Sequence, residues 1–351
     1  MKNEIEILKE LININSYSQK ENSEIVNYIK NICKDYDITT LKNTNDGREN
    51  LLIKINCDDK ISSPILLAGH IDTVKENNNL LARQEDGKLY GLGSCDMKCF
   101  FASLLANLKD LENLNTPIII AITSDEEIEC ESIKLITDYL TSQNIKPRLT
   151  ILGEPTSNTL ANCSKGCYEF KAEIIGKPCH SSKVKEGINA INIAARLITK
   201  IENLNTNEVS LNTGLIQGGK QINIVPDFCS LNFDIRCYDK DKYLLTLQQI
   251  EKEIRLLKNL YKGCEICLTQ TLLLPCHKSK SNLCENLSKL LNTKTSEFNA
   301  ASEAGFYSEI CNEVIIFGAG DLLLAHKQNE YVSISNLTNY YKMLKKLIKN
   351  I

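Results

Sequence analysis

A chain of 351 residues is too long for one comfortable hydrophobic core and suits two domains. Hydrophobic residues make up 42% and charged residues 24%, the balance of an ordinary globular protein, and a net charge of −3 gives no basis for binding nucleic acid. No apolar run approaches a membrane span, and the opening MKNEIEILKELININ mixes charge with Leu and Ile at helical spacing, unlike a signal or transit peptide, so a cytoplasmic protein is expected.

Apolar periodicity near 3.6 predicts helices at about 3–13 and 21–35. Short β-rich runs follow at 50–55 and 64–69, then a helix over 97–113, a strand at 117–123, a helix near 131–143 and a strand at 149–153. Strands separated by helices predict a mainly parallel sheet with helices on both faces, an α/β fold. After about residue 165 the pattern changes. YEFKAEIIG (168–176) alternates apolar and polar residues, as a half-exposed strand does. An amphipathic helix (187–204), two strands around 212–219 and 228–236, a helix at 242–258 and a strand at 264–271 complete a strand–helix–strand–strand–helix–strand series. That order fits a small ferredoxin-like α+β layer. From about 281 the chain returns to helix, strand (314–318) and a last helix (335–350). The expected organisation is a catalytic domain from residues 1–165 and 275–351, with an inserted lid or dimerisation domain at 166–274.

Fifteen cysteines is a high and odd number, and no export signal accompanies them, so reduced thiols acting as small apolar residues are expected. Cys264 and Cys267 form a lone C-x-x-C, weak support for a metal or redox site.

Chemistry concentrates at predicted strand ends. In LLAGHIDTV, His70 and Asp72 are two apart and share a face of an extended strand, so Asp72 can orient the His70 ring. In YGLGSCDMK, Asp96 precedes an apolar helix, a position that an ordinary N-cap also explains. TSDEEIE (123–129) follows the most hydrophobic strand. Acids there are costly unless paired or metal-bound, so one of Glu126 and Glu127 can ligate while the other faces a water; a solvated acidic loop is the competing explanation. Glu154 lies just beyond another buried strand and His326 after a Gly-rich turn. Positions 70, 96, 127, 154 and 326 therefore offer two His and three carboxylates, a mixed donor set that suits zinc. Four of them stand where open α/β sheets bind ligands.

GHIDTV, GLGSCDMKCFFA, TSDEE, GEPTS and AHKQNEY, in this order and with KPCHSS between, resemble the dinuclear zinc aminoacylase/deacylase/dipeptidase family over about residues 60–335. The resemblance implies that Asp96 bridges two divalent metal ions, zinc or alternatively cobalt. His70 and Glu154 would complete one metal site, Glu127 and His326 the other. Glu126 would be the general base and Asp72 would orient His70. His180 would touch the substrate carbonyl, often from the neighbouring subunit of a homodimer. Asn223 and Arg236 resemble positions that hold a substrate carboxylate, although a salt bridge on a strand also explains Arg236. The family further implies a cis peptide after Asp96. His277 matches no motif and is expected at the surface. Cys99 departs from the glycine usual after DMK. Leu92 and Glu303 resemble the branch acting on acetylated ornithine, whereas HKQNE is closer to the branch acting on succinylated diaminopimelate. The implied activity is hydrolysis of an N-acyl amino acid, N-acetyl-L-ornithine first, with Glu303 near the substrate. A desuccinylase, another deacylase or a dipeptidase is the alternative, and an inactive metal-bound binder the distant one.

Overall fold

The most apolar runs of the chain, Ile65–His70, Ile118–Thr123, Leu149–Leu152 and Val314–Ile316, lie side by side as parallel strands and are buried along their whole length. Runs without alternation form strands covered on both faces, and parallel sheets demand that cover. The computed structural model describes residues 2–57, 63–75, 81–128, 130–279 and 281–351. Glu129, the last acid of TSDEEIE, lies outside them.

Two units divide the chain: Met1–Ser164 with Lys278–Ile351, and Lys165–His277. In the first, antiparallel strands Glu49–Ile55 and Asp37–Lys42 extend one edge of the parallel sheet, and Leu160–Ser164 pairs at the other. The helix Glu4–Asn13 opens on an Asn3/Glu6 capping box, which satisfies its free N–H groups. Together with Lys98–Ala106 and Ile334–Lys349 it buries Leu8, Phe100 and Tyr340 in one core. The mainly parallel α/β sheet expected from the sequence is thus present.

The expected single helix over 97–113 is two, Lys98–Ala106 and Leu108–Glu112. Asn107 between them turns its amide to the Ser103 carbonyl at 2.8 Å, a local bond that competes with helical continuation. Three short strands, Arg83–Glu85, Lys88–Tyr90 and Tyr331–Ser333, form a small sheet that the periodicity did not reveal.

The second unit runs strand Gly166–Ile175, helix Ala190–Glu202, strands Val209–Gly218 and Phe228–Cys237, helix Lys240–Leu260 and strand Glu265–Leu274. All pairings are antiparallel, with Phe228–Cys237 and Glu265–Leu274 flanking Gly166–Ile175. This is the ferredoxin-like order. His277 is not at the surface. The alternation of the short strand His277–Lys278 turns His277 inward, only 4% exposed, and Lys278 outward. Among the described residues all fifteen cysteines are free thiols and eleven are buried. No helix of the described residues is long and apolar enough to cross a membrane.

Candidate active site

Each central parallel strand ends on a candidate functional group. His70 is the last residue of its strand; Asp125, Glu126 and Glu127 follow Thr123; Glu154 follows Leu152 by two residues; and the segment after Ile316 leads to His326. Glycine makes two of these ends possible. A Cβ on Gly69 would come within 2.1 Å of Met97, and one on Gly153 within 2.1 Å of the Phe100 ring. Both glycines therefore let the start of the helix Lys98–Ala106, and with it Asp96, press against the strand ends.

Asp96 does not cap that helix. Its two oxygens divide between two imidazoles: Oδ1 lies 3.3 Å from His70 Nε2, and Oδ2 lies 3.3 Å from His326 Nε2. His326 Nε2 is also 2.8 Å from Glu127 Oε1. His70, Asp96 and Glu154 form one cluster whose ligand atoms lie within 4.8 Å of one another, and Asp96, Glu127 and His326 form a second that shares Asp96. A third grouping joins His70 with Glu126 and Glu127. The Asp96–Met97 peptide is cis. His326 holds a φ of +61°, a left-handed conformation unfavourable for a non-glycine residue and one that concentrates at functional sites.

The electrostatics are those of too many acids in too little water. Burial pushes Glu126 well above the usual carboxylate range; His70 offsets this in part, and Glu154, Glu127 and Asp96 add to it. Burial, then the nearby charge of Asp96, does the same to Glu154. Burial also raises Asp96, but hydrogen bonds with His326 and His70 more than reverse this and hold it low. Asp96 and Glu127 together raise His326 to about 11. Glu154 Oε1 is buried with no hydrogen-bond partner among the described residues. Buried polar atoms are rarely left so. Four carboxylates and two imidazoles with an orphaned oxygen are a donor set that fits divalent cations.

Asp72 organises this cluster more widely than a simple His–Asp pair. Its backbone oxygen is 3.1 Å and its Oδ1 3.4 Å from His70 Nδ1. Its carboxylate accepts the backbone N–H groups of Glu126 and Glu127, at 3.3 and 3.1 Å, and the Ser18 hydroxyl at 2.7 Å. Asp125 turns the other way. It accepts the N–H groups of Glu131 and Ser132 and so fastens the acidic turn to the next helix. TSDEE is therefore not a solvated loop.

Two residues of the quoted motifs had no assigned task. Glu330, 1% exposed, accepts the N–H of Cys95 at 2.8 Å and of Asp96 at 3.2 Å on one oxygen. Lys98, equally buried, donates to the carbonyls of Leu11 and Ile14 at 2.8 and 3.0 Å, tying the first helix to the Asp96 loop. Burial pushes Glu330 up to about 7 and Lys98 down to about 7. Partners that orient a ligand are worth about 10–100-fold in metal affinity. Glu330→Ala is expected to weaken metal binding within that range, while Glu330→Gln, whose amide oxygen still accepts, retains most of it. A chelator-competition titration separates the two outcomes.

Glu303 is fully enclosed at the start of the helix Ala304–Ile310. Burial pushes it up to about 8 against the lowering effect of Thr123 and His70. The remaining candidates belong to the second unit. His180 is exposed, with Nδ1 2.8 Å from the Ser182 hydroxyl, and Ser181 donates its N–H to the Asn223 carbonyl at 3.0 Å. Arg236 pairs with Asp234 on its own strand at 2.6 Å, the salt bridge weighed above. Phe228 opposes Ile175 at the end of the sheet from which the chain runs on to His180 and Asn223, and Arg236 is eight residues further along. At about 3.3 Å per residue that is about 26 Å. Asn223 and Arg236 of one chain therefore do not meet at one carboxylate. Cys264 is buried and Cys267 exposed, so the C-x-x-C thiols point apart.

Residues 66–350 match the sequence pattern of peptidase family M20/M25/M40. The chain belongs to that family. It is accordingly a hydrolase of the metal-dependent amidohydrolase type, as GHIDTV, TSDEE and GEPTS implied. Among curated relatives, acetylornithine deacetylase of Buchnera aphidicola subsp. Schizaphis graminum is 29% identical, over 96% of this chain and 93% of its own. Acetylornithine deacetylase of Shigella sonnei is 29% identical over 98% and 95%. An uncharacterized metallohydrolase of Methanocaldococcus jannaschii is 28% identical over 98% and 96%. Among solved structures, a tripeptidase from Staphylococcus aureus superposes with a TM-score of 0.82 at 22% identity, covering 99% of this M20 chain and 97% of the other. A dinuclear metal-binding peptidase of the M20 family from Bacillus subtilis gives 0.74 at 15% identity, covering 99% and 96%. At these identities the structural likeness speaks for the fold.

Proposed function

We propose that this M20 enzyme removes the acyl group from the α-nitrogen of a small amino acid, with N-acetyl-L-ornithine as first substrate, at a centre of two divalent metal ions, zinc before cobalt. The observation that carries the two-metal reading is Asp96, whose oxygens face His70 on one side and His326 on the other. His70 and Glu154 would hold one metal with Asp96, and Glu127 and His326 the other. Bound there, the metals would supply Lewis acidity and ease the ionisation of a water. Glu126 then takes the water's proton as the water attacks the acyl carbonyl, and returns it to the leaving amine. Asp72 fixes the His70 ring and, through the N–H groups of Glu126 and Glu127, aims both carboxylates. His180 donates to the developing oxyanion, and Asn223 beside it helps hold the substrate. The Arg236 guanidinium suits a substrate carboxylate, which competes with Asp234 for it. Glu303 supports the substrate side of the cluster. Unit 165–277 acts as lid and dimerisation domain.

The names of the curated relatives favour an N-acetyl amino acid, and the tripeptidase among the structural neighbours favours a peptide as second reading. A panel of N-acetylornithine, N-succinyl-diaminopimelate and di- and tripeptides, assayed with added zinc, decides. Fastest turnover on N-acetylornithine is expected; a preference for free peptides would replace the deacylase reading. Chelation is expected to abolish turnover and lower Tm, with zinc or cobalt restoring both. A ligand at 1,000 times its Kd contributes about 4 kcal/mol. Full activity in a verified metal-free preparation would overturn the metal-centred mechanism.

A further inference from the structure

Cys237 ends the strand Phe228–Cys237 directly opposite Gly166. On the other side of the same central strand, Leu274 pairs with Cys167, after which Pro275, without an N–H to give, ends the ladder. Cys276 therefore stands outside any strand, half-buried. Its backbone N–H donates to the Tyr168 hydroxyl at 3.2 Å. The Tyr168 ring lies over Gly166, where an added Cβ would meet it at 2.5 Å, and stacks on Tyr243 with centroids 3.6 Å apart. Gly166 thus gives its space to the Tyr168 ring, whose hydroxyl stands beside Cys276, while Cys237 lies at the same end of the central strand. Cys237 Sγ donates to the Asp239 carbonyl at 3.3 Å, and its thiol and the Tyr168 hydroxyl are near enough to Cys276 to perturb it. A neighbouring hydroxyl and thiol favour the thiolate form of a cysteine. The Cys276 thiol is lowered to about 7, by the Cys237 contact first, whereas burial pushes Cys99 and Cys33 up to about 12. No cysteine belongs to a metal-ligand cluster among the described residues, so the pair is not explained as a metal site.

We propose that Cys237 and Cys276 are a redox modification site, where a two-electron oxidant such as hydrogen peroxide joins them in a disulfide. The Cys276 thiolate attacks a peroxide oxygen, breaking the O–O bond; the leaving hydroxide takes up a proton as water, and a sulfenic acid remains. The Cys237 sulfur attacks that sulfenic sulfur and expels a second water, so two thiols and one peroxide give one disulfide and two waters. A disulfide needs Cα atoms within about 7 Å. The Pro275–Cys276 segment is unpaired by any ladder, so no strand pairing opposes the approach that the bond requires. Lys165 and His277 are the first and last residues of this unit, so the bond forms where the chain enters and leaves it.

The test uses the full chain, exposed to graded hydrogen peroxide, alkylated and mapped by mass spectrometry. The expected result is early loss of the alkylated Cys237 and Cys276 peptides, with one linked peptide appearing in their place and disappearing with dithiothreitol. Cys237→Ser is expected to leave Cys276 as a sulfenic acid trapped by dimedone, and Cys276→Ser to leave Cys237 alkylatable. If exposed Cys267 is oxidised first while Cys237 and Cys276 both stay alkylatable, the proposal fails. Should Cys237→Ser fold poorly, the map of the unaltered chain and Cys276→Ser decide alone. The readout does not depend on hydrolysis, so its failure leaves the deacylase reading untouched.

Discussion

Glu126→Gln will keep both metals and lose turnover by about 10²–10⁴-fold, the usual worth of a positioned acid–base group. The amide matches the carboxyl in size and cannot accept the proton of the attacking water. Geometry separates the paired glutamates. Glu127 Oε1 is 2.8 Å from His326 Nε2, inside the Asp96 and His326 cluster. Glu126 Oε2 stands further off, 3.9 Å from His70 Nε2, with its side chain 13% exposed. Burial and acidic neighbours push Glu126 upward, the direction a general base working near neutral pH requires. Glu127→Gln should instead weaken one metal site. Metal analysis of each purified variant beside its turnover distinguishes them. If Glu126→Gln empties a site and Glu127→Gln does not, the two roles are exchanged.

The sheet and most of the cluster were legible in the sequence because strand periodicity and strand ends are local signals. IIIAIT and ILLAGH declare buried strands, and the residues that follow such strands have few places to go. Adjacent acids also narrowed the choice to one ligand and one base, although the structure brings oxygens of both Glu126 and Glu127 within 4.8 Å of one another and of His70. The supports around them were not legible. Ser18 reaches Asp72 across 54 residues, Glu330 reaches the Cys95 N–H across 235, and Lys98 finds the carbonyls of a helix more than 80 residues earlier. Such contacts carry no local pattern, because the sheet alone brings them together. Asp96 is the instructive case: a helix cap and a carboxylate shared between two histidines look alike in one dimension, and only the imidazoles on either side separate them. Arg236 shows the reverse. Its motif suggested a ligand contact in company with Asn223, but a straight strand holds the two at opposite ends of the sheet.

That separation bears on the last expectation, that His180 serves the active site of a partner chain. His180 and Asn223 share one end of the second unit, beyond the end of the strand pair Gly166–Ile175 and Phe228–Cys237. His180 is exposed, and among the described residues only Ser182 hydrogen-bonds its ring, at Nδ1, which leaves Nε2 without a partner of its own unit. A two-fold dimer would let each chain present this end to the other's metal cluster. Homodimers of Glu126→Ala and of His180→Ala should then both be nearly dead. In a mixed dimer one site collects both defects, whereas the other combines an intact Glu126 with an intact His180 from across the interface. Equal amounts of the two variants, exchanged at random, give half mixed dimers with one good site in two, so about a quarter of wild-type activity should return. Subunit exchange is followed independently by mass spectrometry of differently labelled chains. Free exchange with no recovered activity would mean that His180 acts within its own chain or not at all.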